Sequence, residues 1–173
     1  YGVVMVIRDL TKEKEQREKI EHIISHDSMT RLYNRWYMEE LLNLYDRDKE
    51  KRCALIMGDL NGLKLVNDAF GHYEGDRFIR KIAAILKSSS GGRDVVSRWG
   101  GDEFLILMPD AGEKDAEGLI ERVLEKCKRE SDDKVQLSIA LGYALKTGPE
   151  ESMQDVLRAA EQLTYRRKLM IEK

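Results

Sequence analysis

Apolar positions fall along the chain in short blocks of differing period, and the period names the element. Tyr1–Ile7 is a β-branched, apolar run that predicts a strand, and Lys12–His26 then lacks Gly and Pro and is rich in Glu and Lys. That second stretch predicts an exposed helix whose thin apolar stripe is Leu10, Ile20, Ile23 and Ile24, with Glu13 and Arg17 interrupting a heptad seam. Helical spacing returns at Arg35–Tyr45 through Met38, Leu41, Leu42 and Tyr45, and at Glu74–Lys87 through Phe78, Ile79, Ile82, Ile85 and Leu86. Between them Cys53–Met57 has the length of a strand, which ends at Asp59. Val95–Trp99 and Phe104–Met108 predict two strands joined by a tight turn at Gly100-Gly-Asp-Glu103. Asp115–Arg129 predicts a helix buried through Leu119, Ile120, Val123, Leu124 and Cys127. Val135–Tyr143 alternates as a strand, and Met153–Ile171 predicts a closing helix. The order β-α-β-β-α-β is that of ferredoxin-like sheets, so the expected fold is a palm-like α+β domain with flanking helices and an N-terminal linker helix.

This organisation divides the chain into residues 1–11, the last strand of an upstream domain, 12–26, a linker helix, and 27–173, the main domain. At 173 residues and 42% hydrophobic composition there is material for one such core. Thirty Lys and Arg against 32 Asp and Glu give a formal charge of −2, which offers no general attraction to nucleic acid or to an anionic membrane. The longest apolar runs are too short to span a bilayer. Two cysteines, Cys53 and Cys127, do not make a disulfide framework, so a reduced, cytoplasmic compartment is expected. The chain opens on Tyr1 rather than Met, so it is expected to be a fragment.

The first chemistry in the pattern is carboxylate. In a ferredoxin-like order the strand ending at Asp59 lies beside the hairpin, so Asp59 and Asp102 are expected at one sheet edge. Carboxylates held together repel unless a cation sits between them, and hard Mg2+ or Mn2+ suits oxygen ligands. Gly100 and Gly101 are expected to take φ > 0 and let Asp102 and Glu103 project. The ordinary alternative is a solvated hairpin tip. The following segment, Asp59–Asp76, crowds Asp59, Asn61, Asn67, Asp68, His72 and Asp76 among glycines 62, 71 and 75. Backbone N–H groups at Gly62–Lys64, opening a short helix, suit phosphate oxygens, with Lys64 adding charge. The spacing is not that of a Walker A loop, since Leu65 stands where Ser or Thr belongs.

Taken together, Asp59-Leu-Asn-Gly-Leu-Lys64, Asn67-Asp68, Gly71-His72, Gly75-Asp76 and Arg98-Trp-Gly-Gly-Asp-Glu-Phe104 resemble the GGDEF-domain diguanylate cyclases. Asp27-Ser-Met-Thr30 with Leu32-Tyr-Asn-Arg35 is similar to that family's opening motif, and Ala160-Glu, Tyr165 and Lys168 to its closing one. Tyr1–Thr11 also resembles the exit strand of a PAS sensor domain. The resemblance implies condensation of two GTP molecules into cyclic di-GMP with release of pyrophosphate. Two Mg2+ or Mn2+ ions would be held by Asp59, Asp102, Glu103 and the carbonyl of Leu60, with Asp102 and Glu103 as the catalytic carboxylates. Lys64 and Lys168 would neutralise phosphate. Asn67 and Asp76 would read guanine, since an ionised carboxylate matches its N1–H and N2–H2 donors and not adenine. His72 would support the loop and Leu63 would wall the base. A homodimer would bring two nucleotides together, driven by an upstream sensor domain. The alternatives are a degenerate GTP-binding regulatory domain without turnover and a mononucleotide cyclase or small polymerase.

Departures from the family pattern stand at Asn61 for Asp, Arg31 for Gly, Leu63 often for Phe, and Glu172 where a second basic phosphate ligand is common. The family's product-inhibition motif, Arg-x-x-Asp, is incomplete: Asp94 is in place, but Gly91 holds the arginine position and Arg93 is displaced. His22 and His26 lie four apart without a third zinc ligand, so a solvated linker face is expected. The cysteines, and the methionines at 29, 38, 57, 108, 153 and 170, are expected in the core.

Overall fold

The computed structural model describes residues 11–132 and 136–171. The expected strand Tyr1–Ile7, the PAS-like exit and Glu172 lie outside them. Six helices and five strands alternate: α1 (Thr11–Ser25), β1 (Tyr33–Asn34), α2 (Arg35–Arg47), β2 (Cys53–Leu60), α3 (Leu63–Phe70), α4 (His72–Ser89), β3 (Val95–Arg98), β4 (Glu103–Pro109), α5 (Glu113–Glu130), β5 (Ile139–Lys146) and α6 (Met153–Ile171), among the described residues. The strands form one sheet in the order β1-β3-β4-β2-β5. From β2 onward this is the ferredoxin-like β-α-β-β-α-β arrangement, with β2 antiparallel to both neighbours.

Strand β2 is buried along nearly its whole length because helices cover both faces of the sheet. Ala54 and Ile56, with Phe104, Ile106 and Met108 of β4, pack against Phe78 and Ile82 of α4 and Leu119 of α5. The alternate residues Cys53, Leu55 and Met57, with Leu105 and Leu107, pack against Met38 and Leu42 of α2 and Val156 and Ala160 of α6. Alternation along a strand thus separates two cores, one per face.

Some bounds differ from the expectation. The expected short helix opening at Gly62–Lys64 runs as α3 to Phe70, where Gly71 at φ 84° ends it, and α4 begins at His72, not Glu74. Such a backbone angle favours glycine. The two-residue strand β1, parallel to β3, carries no periodic signal of its own. The fifth strand begins at Ile139, and Val135 lies outside the described residues. Leu124 and Met170, expected in the core, are exposed.

Lys146 is the largest polar side chain in the interior, only 1% exposed. Its Nζ donates to the carbonyls of Lys49 (3.2 Å), Lys51 (3.0 Å) and Gly148 (3.3 Å), tying the α2–β2 loop to the end of β5. Lys146→Met keeps the stem and orphans these acceptors. It is expected to cost about 2 kcal/mol, read as a lower urea midpoint at unchanged slope; an unchanged midpoint would show that the clamp carries no stability.

No helix among the described residues is long and apolar enough to cross a membrane.

Candidate active site

The central strand β2 delivers Asp59 to the end of the sheet, where it stands opposite Glu103 in the antiparallel register. Leu60 N–H donates to the carbonyl of Asp102 at 3.0 Å, closing the ladder one residue beyond β4. Asp59, Glu103 and Asp102 therefore share one edge. The register sets Glu103, not Asp102, directly across from Asp59, and the two side chains begin on the same face. Asp102 instead borders a groove of about 470 Å3 on the α3–α4 side. Burial first, then the charges of Asp59 and Asp102, push the Glu103 carboxyl above its ordinary value. Negative charge is crowded here, as the sequence predicts.

The turn that presents these groups is built differently from the expectation. Neither Gly100 nor Gly101 takes a left-handed φ. At Gly100 an added Cβ would fall 2.6 Å from Glu103 Oε2, the far end of a flexible side chain, so a side chain there would displace the Glu103 carboxylate. The turn is held by Trp99 N–H to Glu103 O (2.8 Å) and by Arg98 Nη2 to Gly101 O (2.8 Å).

Leu63, Lys64, Asn67 and His72 line the groove together with Asp102. Gly62, at φ 74°, turns the chain into α3 without a side-chain cap, so the first-turn N–H groups keep their donors free of a capping side chain. Asn67 packs so closely on Gly75 that a Cβ there would fall 1.9 Å from its Oδ1. Asp76, next in sequence, does not line the groove; it lies on α4 in an ion pair with Arg80 at 3.6 Å. Lys168, on the last turns of α6, is not on a solvated face: its Nζ meets Asp59 Oδ1 at 2.6 Å, with each side chain about a quarter exposed. Asn61 is 7% exposed and gives its Nδ2 to Ser138 Oγ at 2.8 Å, while its Oδ1 has no partner among the described residues.

Among the described residues no group of three or more His, Cys, Asp or Glu side chains is arranged to hold a metal ion. Two carboxylates, Asp59 and Glu103, face each other, Asp102 opens onto the groove instead, and a cation already sits on Asp59 in the form of the Lys168 ammonium. Such a set fits Mg2+, which is commonly held by one or two carboxylates and completed by water and substrate phosphate.

The family model described as the diguanylate cyclase GGDEF domain matches residues 24–172. The chain belongs to this family. It is 30% identical over 180 aligned residues to the diguanylate cyclase DgcM of Escherichia coli K12, covering 97% of this chain and 42% of that protein. It is 35% identical over 126 residues to the probable diguanylate cyclase DgcE of the same organism, covering 71% of this chain and 11% of that one. The chain thus spans less than half the length of either relative. Its fold matches that of the coiled coil and GGDEF domain of DgcB from Caulobacter crescentus, a structure in complex with c-di-GMP, at a TM-score of 0.84 and 23% identity over 92% of this chain and 88% of that one.

Within this GGDEF domain the residues that sequence reasoning left without a role are Asp27, Thr30 and Arg98. Asp27 Oδ1 accepts from Thr30 N (2.8 Å) and Oγ1 (2.7 Å), a local turn that Asp-x-x-Thr spacing encodes. Arg98 Nη1 reaches both Asp27 oxygens at 3.4 Å while Nη2 holds Gly101 O, so one guanidinium joins the entry to the domain with its signature turn. Burial works against ionisation of Asp27, but the Thr30 bonds and Arg98 outweigh it and hold the carboxyl below its ordinary value.

His22 is exposed, as a solvated linker face requires, and His26 is half-buried. Their rings stack at 3.9 Å, and the stack continues through Tyr33 (4.5 Å) to Tyr37 (4.0 Å), joining α1 to α2. Cys53 and Cys127 are buried and their thiols are pushed up to about 11 by burial, as inert core residues should be.

Proposed function

We propose that this GGDEF domain condenses two GTP molecules into cyclic di-GMP and pyrophosphate, as a homodimer in which each copy brings one nucleotide. The observation that carries the reading is the edge where Asp59 faces Glu103 and Asp102 opens onto the groove of Lys64, Asn67 and His72. Mg2+ or Mn2+ ions held by Asp59, Asp102, Glu103 and the Leu60 carbonyl would supply charge neutralisation on the phosphates and acidify the attacking hydroxyl.

In this reading the 3′-oxygen of one GTP forms a bond to the α-phosphorus of the other as the bond to the departing pyrophosphate breaks. Asp102 accepts the hydroxyl proton from the groove side, with Glu103 beside it. Repetition with the roles exchanged closes the ring. Lys64 and the free N–H groups opening α3 receive phosphate oxygens as a point charge and a set of dipoles. Lys168, which holds Asp59 in the nucleotide-free chain, swings its charge to the triphosphate. Asn67 and Asp76 read guanine, with Leu63 as the wall of the base pocket and His72 as support for the loop. Asp76 leaves its Arg80 partner to do so. The reaction belongs to the cytoplasm, where GTP is supplied, and the helix α1 connects it to an upstream sensor domain.

Incubation with GTP and Mg2+ followed by chromatographic identification of the product tests this. Cyclic di-GMP with two equivalents of pyrophosphate is expected. Cyclic GMP would make the domain a mononucleotide cyclase, and GTP binding without product would make it a degenerate regulatory domain.

Product inhibition through an Arg-x-x-Asp motif is expected to be weak or absent. Asp94 binds the backbone N–H of Gly91 at 2.6 Å, and Arg93 pairs with Asp110 at 3.3 Å. Calorimetric titration with cyclic di-GMP should show no micromolar binding that depends on Asp94; micromolar affinity lost in Asp94→Ala would refute this.

A further inference from the structure

A second basic cavity, of about 290 Å3, lies between the end of α1, the turn that follows it and the outer face of α4. It is not the nucleotide groove. Arg31, Arg80 and Lys87 surround it, and His26, Thr30 and Tyr33 add polar groups and a ring, while Leu32, Ala83, Ala84 and Val96 give it an apolar floor. Among the described residues no carboxylate lines it. Arg80 shares its charge with Asp76 at 3.6 Å, but among the described residues neither Arg31 nor Lys87 forms an ion pair. Like charges gathered around a hollow repel one another, and an anion in the hollow relieves that repulsion.

The backbone gives an independent reason to single out this place. Arg31 has φ 62°, in the left-handed region, and Asp110 is the other non-glycine residue with positive φ among the described ones. The family pattern places glycine there. An arginine at that position strains the backbone, and strain of this kind is retained where the side chain does something glycine cannot. Its neighbours fix the turn independently of its side chain: Arg31 N–H donates to Asp27 O at 2.9 Å, and Asp27 is bound to Thr30. The guanidinium is therefore free to serve the cavity.

We propose that this cavity binds a small anion carrying one or two phosphoryl groups, held by the Arg31 guanidinium, the Lys87 ammonium and Arg80. Its volume is at the lower end of the range for small-molecule sites, which suits an inorganic phosphate, pyrophosphate or the phosphate end of a mononucleotide rather than a cyclic dinucleotide. A ligand there bridges the last turn of the linker helix, through His26, to α4, which carries Asp76. The inference does not depend on turnover at the GTP site.

Inorganic pyrophosphate is the probe, titrated calorimetrically into the 173-residue chain at low ionic strength without divalent cations. Four proteins are compared: the unsubstituted chain, Arg31→Gly, Lys87→Gln, and the double variant Lys64→Gln/Lys168→Gln, which alters the nucleotide groove. Affinity is expected to fall at least tenfold in Arg31→Gly and in Lys87→Gln and to change less than twofold in the double variant. Arg31→Gly should melt no lower than the unsubstituted chain because glycine accepts the backbone angle; if it does not fold, Lys87→Gln carries the test. Absence of binding, binding untouched by Lys87→Gln, or binding abolished in the double variant would each overturn the proposal.

Discussion

Replacing Asp102 by alanine is expected to lower cyclic di-GMP formation at least a hundredfold while leaving the domain folded. The carboxylate borders the groove and makes no side-chain hydrogen bond among the described residues. What the fold takes from this residue is its backbone carbonyl, which receives Leu60 N–H at 3.0 Å and is untouched by the substitution. Removing the side chain also takes one negative charge from beside Glu103, whose carboxyl should then move down toward its ordinary value while burial, Asp59 and Glu161 still hold it up. Stability should change little, and GTP binding, which the proposed reading assigns to Lys64, Asn67 and Asp76, should persist. Rates of product formation beside thermal melts separate the two effects. An equally active Asp102→Ala protein would remove the assigned chemistry, whereas an inactive and unfolded one would contradict the structural placement.

Gly142→Ala should be the most damaging single methyl group in the molecule. A Cβ on Gly142 would lie 2.3 Å from Thr164 N, 2.6 Å from Thr164 Oγ1 and 2.8 Å from Ala160 O. Two of these are backbone atoms of α6 and have no rotamer to escape to, so the helix itself must move off β5. Overpacking of this kind costs about 3 kcal/mol. The helix that moves is the one whose Thr164 Oγ1 reaches Met57 O (3.1 Å) and whose Lys168 holds Asp59 (2.6 Å), so GTP affinity should weaken along with stability. Gly148→Ala is the control: nothing lies within 4 Å of its added Cβ, and the change should stay within about 0.5 kcal/mol. Equal denaturation midpoints for the two variants would show that α6 is not seated as described.

The sequence by itself determined most of the helices and the three long strands of the sheet core, though not β1, and which polar residues would crowd between them. Burial period and glycine punctuation are local, and Phe78, Ile82, Leu119 and Val123 took the positions their spacing requires. Motif residues close in the chain were legible for the same reason: Leu63, Lys64, Asn67 and His72 do share one groove, because a single short helix and the start of the next display them. The family resemblance also marked Arg31 as a departure from glycine, though not the left-handed angle it adopts.

Tertiary structure alone decided what faces what. That Glu103 stands opposite Asp59 follows from the register of β2 on β4, a relation between strands that neither strand carries alone. That Lys168 ends on Asp59, 109 residues away, depends on α6 lying close to β5 at Gly142, where only a missing side chain leaves room. Gly100 proved to matter for the seat of the Glu103 carboxylate rather than for its backbone angle, and the His22–His26 pair to stack towards Tyr33, because both relations depend on groups brought together by the packed chain. Periodicity records whether a residue is buried; only the packed chain records against whom.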